Sequence, residues 1–185
     1  MPGKLPPDGS AAINQGSLRF TQTTEDAVPA EAVQDHYPDG FAHCFGCGRL
    51  NEHGHQLKTF REGDEAVARF QPGPHHIALP GFVYGGLIAS LIDCHGIGAA
   101  ADAELRAAGH DVGQVPTPRY VTASLHVNYL KPTPLGVELE LRARVRERTA
   151  RKAVVEVALS AAGVVTARGE VVAVAMPVAM GSPAT

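Results

Sequence analysis

The stretch from Gly81 to Asp93, GFVYGGLIASLID, constrains the fold of this chain more than any other segment. Its glycines permit a positive φ or a close backbone approach, and the leucines and isoleucines that follow recur at helical spacing. The pattern predicts an apolar helix that begins near Gly86. We expect this helix to run to about Ala108 and to stop at Gly109, and the glycines at 96 and 98 would allow a break.

A single carboxylate interrupts the apolar stretch 81–93. Small residues at Gly86, Ala89 and Ser90 lead along one face to Asp93. A charged carboxylate in apolar surroundings costs free energy unless it is hydrogen-bonded or takes part in chemistry, and burial raises its pKa. The free N–H groups of the first helical turn can receive an oxyanion, and Gly86 keeps that end clear. The stretch therefore predicts a reactive Asp93, with a structural cap, an ion pair or a solvated acid as the alternative. His95 is predicted to be a packing residue.

Composition limits the function classes that remain. With 185 residues, of which 44% are hydrophobic and 19% are charged, the chain can bury one core, so we expect one domain. A net charge of −3 and an aromatic content of 5% do not favour nucleic-acid binding. No apolar run is long enough to span a bilayer, and the first residues lack a signal-peptide pattern, so we expect a cytoplasmic protein with no membrane partner.

The motif HCFGCG places Cys44 and Cys47 in a Cys-x-x-Cys arrangement that zinc sites use. The usual second pair is missing, because His53 and His55 are too close together in the sequence to supply it. We favour a glycine-rich turn whose small thiols pack inward, with a zinc site or a redox pair as alternatives. We accordingly predict no metal and no cofactor. An odd cysteine count also fits a reduced compartment better than a disulfide framework.

Strand-like patterns flank the helix on both sides. The runs 55–61 and 65–70 are joined by a turn at Glu62-Gly63-Asp64, and strictly alternating runs predict four further strands after the helix: 121–129, 137–145, 153–159 and 165–174. The order predicts an α+β fold in which a five- or six-stranded antiparallel sheet wraps one long helix. Arginines on the 137–145 run are interpreted as a solvated face balanced by glutamates, with a phosphate patch as the alternative.

The regions outside this core lack sustained periodicity. We expect a loosely structured arm over residues 1–40, a domain over 41–178 and a flexible tail over 179–185. His75 and His76 stand in a loop just before the central stretch. They would either line the mouth of a site or be solvated, and we favour solvated loop histidines.

Over about residues 43–176 the chain resembles the PaaI-like acyl-CoA thioesterases of the hot-dog fold. The resemblance rests on CFGCG from Cys44, on the stretch that ends at Asp93, and on TASLHVNYLKP from Thr122. It implies the hydrolysis of an acyl-CoA or acyl-carrier thioester by a homodimer or homotetramer whose site lies at the subunit interface. The alternative is a hot-dog protein that binds an acyl thioester without hydrolysing it.

The resemblance also implies roles for individual residues. Asp93 would act as general base or as nucleophile, and the amide of Gly86, or that of its neighbour Gly85, would polarise the thioester carbonyl. Thr122 would hold the water or the carboxylate. The family's histidine before the glycine pair is Tyr84 here, and tyrosine does not act as a base near neutral pH. The residues expected to contact substrate are Phe82, Tyr84, Gly85, Ser90 and His76.

Overall fold

A computed structural model describes residues 31–177 and 180. One long helix, α1, spans Gly85–Ala107. The strands are β1 Phe60–Glu62, β2 Glu65–Phe70, β3 Ile77–Leu79, β4 Phe82–Val83, β5 Tyr120–Tyr129, β6 Leu139–Arg148, β7 Lys152–Ala161 and β8 Val164–Ala175. Short 3-10 helices occupy Val33–His36, Asp39–Phe41 and Pro74–His76.

Six of these strands form one antiparallel sheet in the order β1-β2-β6-β7-β8-β5, and α1 packs against it. The two short strands β3 and β4 pair separately, just before the helix. The predicted α+β hot-dog layout of one helix and an antiparallel sheet is thereby confirmed. Across the described ranges, none of the helices combines the length and the apolar character that crossing a bilayer requires.

The helix is continuous and ends where the sequence predicts. Gly109 adopts φ +76°, a left-handed conformation that favours glycine, and the His110 N–H donates to the carbonyl of Leu105 at 2.9 Å. These contacts form the usual glycine C-terminal cap. The suggested break is not present. Gly96 and Gly98 instead allow close contact with side chains of neighbouring segments, namely Val171 at Gly96 and Thr59 at Gly98.

Glycines let the helix lie unusually close to the sheet. A Cβ atom on Gly169 of β8 would lie 2.3 Å from Cγ2 of Ile92, which is fully buried. A Cβ atom on Gly96 would lie 2.6 Å from Cγ2 of Val171. The missing side chains on both elements are therefore what allows α1 and β8 to pack at this distance.

Strand boundaries follow the predicted alternation with two differences. The run 55–61 is a strand only at Phe60–Glu62, and Gln56 upstream has φ 50°, which is not an extended conformation. The run 137–145 becomes a strand from Leu139. The turns at Gly63 and at Ala162-Gly163 have positive φ, as tight hairpins require.

Strand β5 alternates in sequence but is not buried as alternation suggests. It lies at the end of the sheet, and residues 122–126 are all exposed in the single chain. Ala123 and Leu125, which the alternation places on the inner face, are among them. The surface that would cover them is not supplied by the described residues of this chain.

The arginine-rich strand β6 is a solvated, charge-balanced face, as predicted. Arg142 and Arg144 pair with Glu65 at 3.0 and 2.7 Å, and Arg146 pairs with Glu156 at 3.0 Å and with Glu170 at 2.9 Å. Most of these partners come from neighbouring strands. Because the charges are paired within the sheet, this face offers no concentration of free cations for phosphates.

The proposed arm and tail fall largely outside the described residues. Residues 1–30, 178–179 and 181–185 are not among them. Residues 31–40 are described, and Val33 and Tyr37 of this segment belong to the hydrophobic core. Packed structure therefore begins before residue 41.

We predict that Gly169→Ala lowers the free energy of unfolding by about 1–3 kcal/mol, because the added methyl group overpacks the contact with Ile92. Urea unfolding monitored by circular dichroism measures the change. Gly40→Ala is the matched control, since nothing lies within 4 Å of a Cβ atom there. Equal unfolding midpoints for the two variants would show that the helix and sheet are not in close contact.

Candidate active site

The acid of the central helix is held by strand β5. The hydroxyl of Thr122 donates a hydrogen bond to Oδ1 of Asp93 at 2.6 Å. Asp93 is half-buried, and this burial raises the pKa of its carboxyl group, while the hydrogen bond from Thr122 acts in the opposite direction. The two residues lie 29 positions apart in the sequence, and the fold brings them into contact.

The neighbouring histidine has a structural role, as predicted. His95 is fully buried, with Nε2 3.1 Å from the carbonyl oxygen of Ala66 and Nδ1 3.0 Å from the hydroxyl of Thr59. A carbonyl only accepts, so Nε2 carries the proton and Nδ1 accepts from Thr59. Burial lowers the pKa of His95 to about 4, so the ring is neutral near pH 7. It points away from Asp93, toward strand β2.

The start of α1 presents backbone donors. Tyr84 stands at the N-cap position, and in the described part of the chain the N–H groups of Gly85 and Gly86 have no acceptor. The ring of Tyr84 folds over Gly86, where a Cβ atom would lie 2.4 Å from ring carbons. The hydroxyl of Tyr129 donates to the carbonyl of Gly85 at 2.8 Å. Because a side chain at position 86 would collide with the ring of Tyr84, this position of the Tyr84 ring requires glycine at 86.

A pocket of about 460 Å³ opens beside this helix start. Four of the predicted site residues line it: His76, Tyr84, Gly86 and Ser90. Aromatic and imidazole rings form the opposite wall: Phe45, His53, His55, Phe70 and His75. The pocket is therefore mainly apolar, with backbone donors at one end.

The loop histidines do not share one environment. His75 is exposed, as the solvated interpretation expects, whereas His76 is half-buried and its Nδ1 accepts from the Gly73 N–H at 2.9 Å. Burial is the main cause that lowers the pKa of both His55 and His76, and the nearby charge of His75 adds to it. Both effects favour the neutral form of His55 and His76.

The predicted site residues divide into three groups in the single chain. Phe82 and Gly85 line a second pocket, of about 290 Å³, on another side of the helix start. Asp93 and Thr122 line neither of these two pockets. The acid lies about two helical turns from Gly86, toward the exposed edge strand. A second surface over β5 would be needed to enclose it.

Sequence reasoning missed one participant near the site. Cys94, the residue after Asp93, joins Cys44 and Cys47 so that the three sulfur atoms lie within 4.8 Å of one another. The thiols do not all pack inward as expected, since Cys47 is buried but Cys44 is exposed. Hydrogen bonds from the other two thiols lower the pKa of Cys44. Donating to Cys44 raises the pKa of both Cys47 and Cys94.

Comparison with known proteins identifies the class. Residues 80–168 match the thioesterase superfamily. The chain is 48% identical to a thioesterase superfamily protein from Shewanella loihica PV-4, with a TM-score of 0.58, over 75% of this chain and 98% of that one. The E. coli PaaI protein shares the fold at 14% identity and a TM-score of 0.54, over 66% of this chain and 81% of that one.

A curated relative extends the comparison to a named activity. The chain is 37% identical to acyl-coenzyme A thioesterase THEM4 of Xenopus laevis over 87 residues. These residues make up 46% of this chain. The match covers 33% of that protein's length. The fold is that of a hot-dog protein. This chain belongs to the thioesterase superfamily.

We predict that Thr122→Val destabilises the protein by about 1–2 kcal/mol, because a half-buried carboxylate loses a charge-assisted hydrogen bond. Thr122→Ser retains the hydroxyl and is the control. Chemical denaturation of the two variants beside the wild type measures the difference. If the valine variant were as stable as the serine variant, the hydrogen bond to Asp93 would not contribute to the free energy of unfolding.

Proposed function

We propose that this protein hydrolyses an acyl-CoA or acyl-carrier thioester to a carboxylic acid and a free thiol, with Asp93 as the reactive group. The observation that carries the proposal is the half-buried Asp93 carboxylate of α1, which Thr122 of β5 orients. The first backbone amides of the same helix have no acceptor among the described residues. Membership of the thioesterase superfamily and the partial match to an acyl-CoA thioesterase support it.

In this mechanism water attacks the thioester carbonyl and Asp93 accepts its proton as general base. The carbonyl oxygen becomes an oxyanion, which the N–H groups at Gly85 and Gly86 of a second copy of the chain stabilise from the positive end of the helix dipole, because within one chain Asp93 lies about two helical turns from these amides. The C–S bond then breaks, and the proton held by Asp93 leaves with the thiol. The alternative is direct attack by the Asp93 carboxylate, which would give an acyl-enzyme anhydride that water then hydrolyses.

The site requires a second copy of the chain in this proposal. β5 is a ten-residue edge strand, whereas the other edge of the sheet, β1, has three residues. Exposed apolar side chains cluster along and after β5, with Leu125 38%, Tyr129 55% and Leu130 52% exposed. Long open edges with apolar side chains need a partner. Pairing of two copies along β5 would enclose Asp93 and would place the site at the subunit interface.

The assembly is tested by mass. We expect the wild type to have the mass of two or four 19.4 kDa chains by light scattering after size exclusion. Leu125→Lys should shift this to one chain and abolish hydrolysis, because a charge at the paired edge opposes association. Val164→Lys, at an exposed apolar position near a hairpin turn, is the matched control and should leave the mass unchanged. A wild type with the mass of one chain contradicts this arrangement.

The chemistry is tested by Asp93→Asn. We expect kcat/KM to fall by about 10²-fold or more, since an amide cannot accept the proton. Released CoA is quantified by chromatography across a series of acyl-CoAs of increasing chain length, which avoids interference from the protein's own thiols. Asp64→Asn, in the exposed turn between β1 and β2, is the matched control. Normal turnover by folded Asp93→Asn would end the proposal.

The second candidate is a protein that binds an acyl thioester without hydrolysing it. It is favoured by Tyr84, which stands where the family has histidine and whose ring lies over Gly86. This candidate predicts that acyl-CoA raises the melting temperature of the wild type while no CoA is released. CoA release proportional to protein concentration, and lost in Asp93→Asn, rejects it.

A further inference from the structure

Three cysteine sulfurs meet where the turn at Cys44–Cys47 lies against α1, next to Asp93. These are all the cysteines of the chain, and they come from two segments about 50 residues apart in sequence. We propose that Cys44, Cys47 and Cys94 bind one Zn²⁺ ion. The ion joins the turn to the central helix.

The sulfur spacing fits a bridging ion. Zinc–thiolate bonds are about 2.3 Å long, so two sulfurs on a tetrahedral zinc lie about 3.8 Å apart. The Cys44 and Cys94 sulfurs are 3.8 Å apart, and all three lie within 4.8 Å of one another. A disulfide would need about 2.05 Å between sulfurs. The cluster therefore needs little movement to coordinate an ion.

The turn that carries two of the sulfurs is shaped by glycines. A Cβ atom on Gly46 would lie 2.2 Å from the Cys94 sulfur, so only glycine lets the turn approach the helix this closely. The Gly48 N–H donates to the carbonyl of Cys44 at 2.8 Å, and a Cβ atom on Gly48 would lie 2.5 Å from the Cys44 nitrogen. The sulfurs are thus brought together by a backbone built for that approach.

The surroundings suit the charge of such a centre. Zn²⁺ with three thiolates carries a net charge of −1. Arg119 has a minor positive influence on Cys47, its guanidinium lies 3.7 Å from the centre of the Tyr37 ring, and its Nε and Nη1 are buried without a hydrogen-bond acceptor among the described residues. In residues 31–177 and 180 no fourth cysteine, histidine or carboxylate joins the cluster. Water would take the fourth position, a coordination that zinc adopts with three protein ligands.

The ion would position a wall of the pocket. Phe45 lies between the two cysteines of the turn and lines the pocket beside Gly86. Cys94 directly follows Asp93 on α1. Zinc at this cluster therefore fixes the aromatic wall relative to the acid. This role is independent of the proposed hydrolysis.

The test is the metal content of tag-free wild-type protein, produced with added zinc, purified without chelators and measured by mass spectrometry of the elements. We expect about one zinc per chain. Cys47→Ser and Cys94→Ser should each lower zinc occupancy at least about 10-fold. Phe45→Leu changes the same turn without removing a ligand and should keep full occupancy.

Two measurements on the wild type alone remain informative where a cysteine variant does not fold. Cobalt added to zinc-free protein should give thiolate charge-transfer bands and the visible spectrum of tetrahedral Co²⁺. Removal of zinc should lower the melting temperature by roughly 5–15 °C, because an ion that binds the folded state stabilises it. Re-addition of zinc should restore it.

Three results overturn the proposal. The first is a zinc content below about a tenth of an equivalent per chain after dialysis against zinc. The second is that the purified protein contains Cu⁺ instead of zinc. The third is a disulfide, detected as only one free thiol per chain in denatured wild-type protein. Zinc-free protein that still hydrolyses acyl-CoA leaves the proposed function intact. Conversely, full zinc occupancy in a protein that does not hydrolyse acyl-CoA would support the zinc site and contradict the proposed hydrolysis.

Discussion

Close packing between α1 and β8 is the contact on which the rest of this structure depends. Gly96 and Gly169 remove the side chains that would hold the two elements apart, and Ile92 and Val171 fill the space that remains. Because the helix lies this close to the sheet, its rotation about its own axis is restricted. That rotation decides which helix residues face β5, which face β2 and which reach the pocket.

The fates of neighbouring helix residues follow from this orientation. Successive residues on a helix point about 100° apart. Asp93 faces the edge strand and Thr122, Cys94 faces the turn at Cys44, and His95 faces Thr59 and β2. One buried ring with satisfied nitrogens, one half-buried acid and one thiol in a cluster thus come from three consecutive positions. Their chemistry differs because their surroundings differ.

Much of the fold could be predicted because its signals are local. The helical spacing before Asp93, the stop at Gly109 and the alternation of the later strands reflect which face each element buries. The predictions were less accurate where a local pattern met a non-local condition. The run 55–61 has strand-forming residues but only Phe60–Glu62 finds a partner, and β5 alternates although its position at the sheet edge leaves Ala123 and Leu125 exposed.

The sequence by itself determined the helix with its glycine start, the carboxylate of Asp93 in apolar surroundings, and the sheet that packs against the helix. Only the tertiary structure decided that the carboxylate of Asp93 is the partner of Thr122, that His76 is half-buried while His75 is exposed, and that Cys94 completes a cluster with Cys44 and Cys47. The reason is physical. Periodicity is a property of adjacent residues, whereas these contacts join segments far apart in the chain and exist only once the helix is seated on the sheet.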